Sequence, residues 1–482
     1  MSFSSTLNNA ISGLTAARRA AELVSENIAN AQTPGYARRT LSLTSNSITA
    51  GVHINGIIRN VDPGIISNRR QAESIFGAAD ARASFQSRLE YLVGTVTKPG
   101  SISQRIVDFE SSLIEAASRP ESPQRLDAAV AQAGGLAQKI AQAAEGVRNL
   151  RTKADTAIGI QVDRLNQALQ QVQAINTRIT TTSAAGGENA GLLDQRQRLV
   201  DEINKIVPIN IVSRAYGQIA LYTDGGAILL DGPAATVSFT PARDTVPGMT
   251  LANGLLSGLE INGITVRTGS SNGALRGGTL SAQFEIRDEL AVSAQADLDA
   301  VARDLIERFE TTGLDATVAP GGPGLFTDDG LPFDAAEVLG LAGRISLNAV
   351  VDAAQGGESW RLRAGLGAAV PGQPGDARQL QAFTDILTEV RTPGSTVFGT
   401  GDLSMAGLGS ALLSRVSLQA GQAEQSLSFA AASMTELTRI ELDQGVDTDA
   451  ELQALLIIEQ AYAANARMIE VADEMMQAIL RI

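Results

Sequence analysis

Carboxylates are the side chains through which this 482-residue chain could most readily do chemistry, since it contains 52 aspartates and glutamates. Two carboxylates at a suitable separation can act as acid, base or nucleophile in hydrolysis. The segment FTDDGLPF places Asp328 and Asp329 side by side, but Asp-Asp-Gly is typical of a turn and lacks the further ligands of a calcium loop. No carboxylate pair lies in an apolar, pocket-like segment, so we predict no catalytic residue.

Composition limits the other chemistries. The chain has no cysteine, which excludes disulfides, zinc thiolate sites and cysteine nucleophiles. Its single histidine, His53, rules out multi-histidine metal sites and leaves little room for a Ser-His-Asp relay. His53 lies in the alternating stretch GVHINGII, which predicts an ordinary strand position. No glycine cluster follows a phosphate-binding pattern. Together with the lack of cysteine and of a second histidine, this leads us to expect neither a cofactor nor a metal.

The charge balance argues against nucleic acid and membrane surfaces as partners. The net charge is −14 and the pI is about 4.7, so phosphate backbones and anionic lipid heads are repelled. No apolar run approaches the roughly 20 residues that span a bilayer. The first residues, MSFSSTLNNA, have no basic head and no apolar core, so we expect no cleavable secretory signal. Cytoplasmic residence and export without a cleaved signal both fit this composition.

The elements that must position any functional residue include a helix at each end of the chain, and apolar residues recur in both helices every seven residues. At the N-terminal end the two seam positions hold Leu7, Leu14, Ala21 and Ile28, and Ala10, Ala17, Val24 and Ala31. At the C-terminal end they hold Leu455, Tyr462, Ile469 and Met476, and Ile458, Asn465, Ala472 and Ile479. Half of the N-terminal seam is alanine, which suits close approach by several helices.

Local signals mark where these terminal helices stop and start. In TPGY, Pro34 and Gly35 suit the central positions of a type II turn, which predicts the end of the first helix there. Thr448 and Glu451 have the spacing of a capping box before the last helix. We hypothesise that both ends are frayed or disordered in the isolated chain and fold against neighbouring subunits. The predicted assembly contacts are the large seam residues Leu7, Leu14, Val24, Ile28, Leu455, Ile458, Tyr462, Ile469, Met476 and Ile479.

The interior changes its apolar period twice. A helical stripe runs from Val130 to Ile179, where Arg151 and Gln161 predict partial exposure. From Pro208 the period becomes two, and Asn262-Gly263 between short apolar runs predicts a hairpin. The helical period then returns, interrupted later by glycine- and proline-rich connections.

These patterns predict an elongated, multi-domain chain that is mainly α with an inserted β-domain. The terminal heptad helices would form a coiled-coil core, beside a helical-bundle domain and a β-rich outer domain. The expected divisions are an N-terminal helix and extended segment (1–60), the first part of the helical bundle (61–207), the β-domain (208–281), the second part of the bundle with loops (282–415) and the C-terminal helix region (416–482).

Several segments resemble one known family. SGLTAARRAAELVSENIANAQTPGYARR and ELQALLIIEQAYAANARMIEVADEMMQAIL are similar to the terminal signatures shared by bacterial flagellar rod, hook and hook-associated proteins. SRPESPQRLDAAVAQAGGLAQKI, GGTLSAQFEIRDEL and the stretch beginning AGLLDQRQRLVDEINKIV resemble the FlgK family, which forms the hook–filament junction. The resemblance covers most of the chain and is weakest from about Leu325 to Met405.

The resemblance implies an exported axial structural subunit of the flagellum, not an enzyme. It implies passage through the flagellar type III export apparatus without a cleaved signal peptide, and an extracellular location. The implied partners are further copies in a ring, the hook protein, the second hook-associated junction protein and an export chaperone on the last helix. Two alternatives remain: another axial protein of hook or rod type, and a secreted hydrolase that uses paired carboxylates.

Overall fold

The computed structural model describes residues 3–33, 35–45, 51–95, 99–268 and 273–481, which are mostly helical. The helices are α1 (Phe3–Asn30), α2 (Pro63–Val93), α3 (Ile102–Ser118), α4 (Pro123–Ala184), α5 (Ala190–Ile206), α6 (Gly278–Glu285), α7 (Ala291–Phe309), α8 (Leu341–Arg344), α9 (Arg361–Ala364), α10 (Arg378–Thr388), α11 (Met405–Asp443) and α12 (Thr448–Leu480). The strands are β1 (Arg39–Ser45), β2 (Val52–Arg59), β3 (Ile209–Ser213), β4 (Ile219–Thr223), β5 (Ile228–Leu230), β6 (Val237–Ser238), β7 (Leu259–Ile261), β8 (Ile264–Val266), β9 (Phe326–Asp328) and β10 (Ile345–Leu347). The prediction of a mainly α chain with inserted strands is confirmed.

Helix α4 is the central element of the interior. Its 62 residues extend over about 93 Å at 1.5 Å per residue. The predicted stripe is its buried face, and its members include Val130, Ile140, Val147, Ile158, Leu165, Val172 and Ile179. The N-terminal half of α4 shares one apolar core with α3, α7, α10 and α11, and the C-terminal half shares a second core with α5 and β4 to β7.

The inserted strands form two small antiparallel sheets, in the orders β3-β4-β5 and β6-β7-β8. Asn262 and Gly263 have φ values of 52° and 79° and join β7 to β8, so the predicted hairpin is confirmed. The buried residues of these sheets pack on α4 and α5, so the segment shares its core with the helices. Residues 278–281, at the end of the predicted β-domain, form the first turn of α6.

The prediction that Arg151 of α4 is partly exposed is wrong. The residue is 4% exposed, whereas Gln161 is half-buried as predicted. Arg151 Nε donates to the Arg287 carbonyl at 2.8 Å and Nη2 to the Met249 carbonyl at 2.6 Å. The guanidinium is buried because it satisfies carbonyls of the loop after β6 and of the π-helical turn 286–290 that joins α6 to α7.

Two other positions behave as the sequence predicts. Asp328 and Leu331 exchange backbone hydrogen bonds across a turn in which Asp329 and Gly330 have positive φ, and Arg344 pairs with the Asp328 carboxylate at 2.7 Å. His53 lies in β2 and is exposed. Across the parts of the chain that the structure describes, no helix is long and apolar enough to cross a membrane.

Candidate assembly interface

The two terminal helices pack against each other in antiparallel orientation. Gly13 of α1 lies against Asn465 of α12, and Asn27 lies against Glu451, so the start of α1 faces the end of α12. A Cβ atom at Gly13 would lie 2.6 Å from Asn465 Oδ1, which is closer than non-bonded atoms approach. The absent side chain at Gly13 therefore allows the close contact between these helices at this level.

A buried polar cluster closes the end of the helix pair nearest the interior. Asn27 Nδ2 donates to Glu451 Oε2 at 3.1 Å, and Arg38 Nε donates to Glu451 Oε1 at 2.6 Å. Asn27 Oδ1 accepts from Tyr36 Oη at 2.9 Å and from the Arg39 backbone amide at 3.0 Å. Asn27 and Glu451 are each 1% exposed. We call Asn27, Arg38 and Glu451 the terminal latch, because it joins α1, the chain entering β1, and α12.

Glu451 corrects the predicted capping box. The residue that caps α12 is Asp447, whose Oδ1 accepts from the amides of Asp449 and Ala450 at 2.9 and 3.2 Å. Thr448 is the first helical residue, and Glu451 points into the latch. The spacing Thr-x-x-Glu matched the local pattern, but a buried tertiary partner for the glutamate overrides it.

The predicted turn after α1 falls partly in the described chain. Gly35 has φ of 76°, and the Tyr36 amide donates to the Thr33 carbonyl at 3.1 Å, as in a turn whose third residue needs positive φ. Pro34, the other residue of the predicted helix stop, lies outside the described residues. Strands β1 and β2 then run back beside α1, where Ser12 Oγ accepts from the Val52 amide at 3.1 Å.

The predicted contact residues divide into two groups according to their surroundings. Those that are buried or half-buried are Leu7, Leu14, Val24, Ile28, Leu455, Ile458 and Ile469. Those that are exposed are Tyr462, Met476 and Ile479. In the antiparallel register, Met476 and Ile479 lie at the end of the helix pair away from Asn27 and Glu451.

A second apolar stripe on α12 was missed by the sequence analysis. Its members lie at helical spacing on the side turned away from α1 and are 47–66% exposed: Leu452, Leu456, Ile457, Met468, Val471 and Met475. A heptad seam describes one contact face, whereas α12 has an apolar face toward α1 and another toward solvent. The apolar residues between the heptad positions were the available signal. We call this stripe the open face of α12.

Carboxylates with perturbed pKa values lie in the interior, away from the helix pair. Burial raises the pKa of Asp297 to about 6, and Arg415 partly opposes that shift. Burial also raises the pKa of Glu310, whose carboxylate accepts from the Phe333 amide at 3.0 Å beside a cavity of about 280 Å³. Within the described residues, no three His, Cys, Asp or Glu side chains converge as a metal site.

Comparison with known proteins first defines the class. Residues 7–36 match the family of flagella basal body rod proteins, and residues 443–482 match the C-terminal region of the flagellar basal body rod FlgEFG proteins. These segments contain most of α1 and all of α12, the two halves of the helix pair. The chain is therefore one of the axial proteins of the bacterial flagellum.

The interior identifies the family. Residues 86–326, half of the chain, match the helical domain of flagellar hook-associated protein FlgK. The chain belongs to the FlgK family. It is 30% identical to flagellar hook-associated protein 1 of Escherichia coli over 288 residues, which are 56% of this chain and 52% of that protein. It is 22% identical to the Bacillus subtilis protein of the same name over 514 residues, covering 98% and 97% of the two chains.

Two further comparisons concern length and solved structure. The match spans about half the length of the Escherichia coli relative and likewise 51% of the Salmonella typhimurium one, to which the chain is 31% identical. A solved structure of the flagellar hook junction protein FlgK from Burkholderia pseudomallei aligns over 54% of this chain and 46% of that one. The TM-score is 0.44 and the identity 20%.

Proposed function

We propose that this chain is a structural subunit of the bacterial flagellum that forms the junction between hook and filament. The observation that carries the proposal is the open face of α12. A terminal helix that leaves Leu456, Met468 and Val471 in contact with water is suited to packing against further helices. Membership of the FlgK family, and the name hook-associated protein 1 carried by its relatives, support the position at the hook.

The proposed partners are the molecules on each side of such a junction. Further copies of the chain would complete a ring, with the hook protein below and the second hook-associated protein above. An export chaperone would cover α12 before passage through the type III apparatus, because the open face would otherwise be exposed to the cytoplasm. The chain would reach the extracellular flagellum without a cleaved signal peptide, and no residue is assigned a catalytic role.

The isolated helix pair is proposed to fray from its far end. The terminal latch fixes one end, whereas the other ends in Met476 and Ile479, which are 42% and 69% exposed. The last described residues of α12, 473–481, are exposed, so local opening there costs little free energy. Contact with neighbouring subunits would order it. The division into residues 1–60, 61–207, 208–281, 282–415 and 416–482 is part of the same proposal.

A deletion strain tests this function. Cells that lack the chain should make hooks but release filament protein into the medium, and the wild-type chain should restore filaments. Leu456→Asp with Val471→Asp should be exported yet fail to restore them, because two charges would be buried in the contact. Leu456→Met with Val471→Ile is the matched control, since it changes the same two positions and keeps them apolar. Full restoration by the open-face variant would contradict the proposal.

The second candidate is another axial protein of hook or rod type, which the matches at both chain ends favour. A hook-type protein would polymerise alone, whereas a junction protein should stay monomeric and cap isolated hooks. Electron microscopy of the purified chain, with and without isolated hooks, separates the two. Long filaments formed by this chain alone would favour the hook type.

A further inference from the structure

Helix α5 carries two carboxylates that face the terminal parts of the chain. Asp194 and Asp201 are seven residues apart, which places them on one face of the helix, about 10 Å apart along its axis. Both lie in LLDQRQRLVDEI, the segment that carries much of the family resemblance. Neither residue contributes to the pairing of α1 with α12, so that role does not account for them.

Asp194 neutralises a pair of like charges at the base of the β1–β2 hairpin. Arg39 and Arg59 are directly opposite each other in the antiparallel register, an arrangement that is destabilising for two cations. Asp194 Oδ2 accepts from Arg39 Nη2 at 2.7 Å and Oδ1 from Arg59 Nε at 2.6 Å. The Asp194 side chain is 5% exposed. Arg39 also pairs with Glu26 of α1 at 3.0 Å, whereas the carboxylate that pairs with Arg59 comes from α5. Seating on α5 therefore offsets the remaining repulsion at the base of the hairpin.

Asp201 does the same for adjacent cations on α2. It accepts from Arg69 Nη2 at 3.0 Å and from Arg70 Nε at 2.5 Å. Arg69 Nε also donates to Glu441 near the end of α11 at 2.6 Å. Arg69 therefore connects Asp201 directly to the end of α11, the segment that leads into α12.

We propose that Asp194 and Asp201 are positioning residues that couple the seating of the terminal unit to the interior. The terminal unit comprises α1, β1, β2 and α12. When the terminal unit is seated on α5, the hairpin bonds to Asn27 of α1, and Asn27 bonds to Glu451 of α12. The position of the hairpin on α5 therefore determines the orientation of the open face of α12 relative to the interior. This inference rests on the proposed function, because it concerns the surface by which the chain assembles.

Spin-label distances in the isolated full-length chain test the coupling, and the absence of native cysteine makes two introduced cysteines unique. Labels at Gln170→Cys on α4 and Gln453→Cys on α12 use exposed positions, the second close to the latch. We expect one narrow distance distribution. Asp194→Asn should broaden this distribution. Adding Asp201→Asn to that variant should broaden it further. Glu202→Gln, at an exposed carboxylate of the same helix, should leave it unchanged.

Charge reversal distinguishes positioning from a general loss of structure. Asp194→Arg combined with Arg59→Glu should restore the narrow distribution that Asp194→Arg alone abolishes, because Arg39 keeps its pair with Glu26. The urea midpoint of the interior should stay the same in the Asp194 variants. An unchanged distribution in Asp194→Asn, or no rescue by reversal, would overturn the inference. A failure of the proposed function would be visible separately, as wild-type chain that does not cap isolated hooks.

Discussion

The terminal latch predicts how replacement of Glu451 by glutamine loosens the helix pair. Glu451 is 1% exposed and accepts from Arg38 Nε at 2.6 Å and Asn27 Nδ2 at 3.1 Å. In Glu451→Gln the charge-assisted bond is lost, and an amide donor of the new side chain can face the guanidinium. Hydrogen bonds to charged groups contribute about 1.5–3 kcal/mol.

The expected cost of Glu451→Gln, as free energy of local opening of the helix pair, lies in the middle of that range. The Arg38 side chain is 36% exposed, so it can turn to water and recover part of the loss. A cost of about 2 kcal/mol for local opening corresponds to roughly 30-fold faster amide exchange, since 1.4 kcal/mol is tenfold.

Hydrogen exchange of the isolated chain, followed by mass spectrometry, measures this opening. Peptides from residues 22–30 and 448–458 should exchange about 30-fold faster in Glu451→Gln, given that cost. Peptides from α4 should not change. Glu459→Gln is the control, because Glu459 is exposed on the same helix and has no bond to another described residue. Equal exchange in wild type and Glu451→Gln, or an equal effect of Glu459→Gln, would refute the role given to the latch.

Three further predictions concern the interior and the helix contact. Burial raises the pKa of Asp297 to about 6, so the folded chain keeps a proton that the unfolded chain releases near pH 4. The contribution of Asp297 to stability is then largest below pH 4 and falls by about 3 kcal/mol as the pH rises through 6; in urea titrations at pH 4 and 7, Asp297→Asn should remove this part of the pH dependence. Asp155→Ala should cost about 3 kcal/mol in the same assay, because it removes one of the two carboxylates that pair with Arg287, at a site where the Asp155 and Arg287 side chains are both 0% exposed and only Asp288 remains as a partner; an effect below 1 kcal/mol would contradict it. Gly13→Leu should weaken capping of isolated hooks, and Asn465→Ala added to it should restore part of that capping; no rescue would contradict the close contact.

The interior elements could be predicted where periodicity determines them. The stripe of α4 from Val130 to Ile179 is buried because a 3.6-residue period fits one continuous apolar face. Asn262-Gly263 gave the right hairpin, because these residue types adopt positive φ at low cost. In both cases the determining information lies within a few residues of sequence.

The polar contacts of the candidate site could not be predicted in the same way. Asn27 and Glu451 are 424 residues apart, and nothing near either residue indicates the other. The pattern around Glu451 even favoured a different role, that of a capping residue. Arg151 was assigned partial exposure because a charge in an apolar stripe is normally solvated; the carbonyls that bury it come from segments far along the chain.

The open face of α12 was missed for a different reason. The heptad template selects one stripe, and residues such as Leu456 and Met468 fall between its positions. Only the placement of α1 along one side shows that these residues remain exposed in the single chain. An apolar surface that one chain leaves uncovered is the feature on which the proposed assembly depends.

Amide exchange of residues 466–481, compared in the isolated chain and in the chain bound to isolated hooks, tests the central claim most directly. We predict rapid exchange in the isolated chain and strong protection on the hook, because neighbouring subunits would cover the open face of α12. Equal exchange of this segment in the two states would contradict the claim that this face carries assembly.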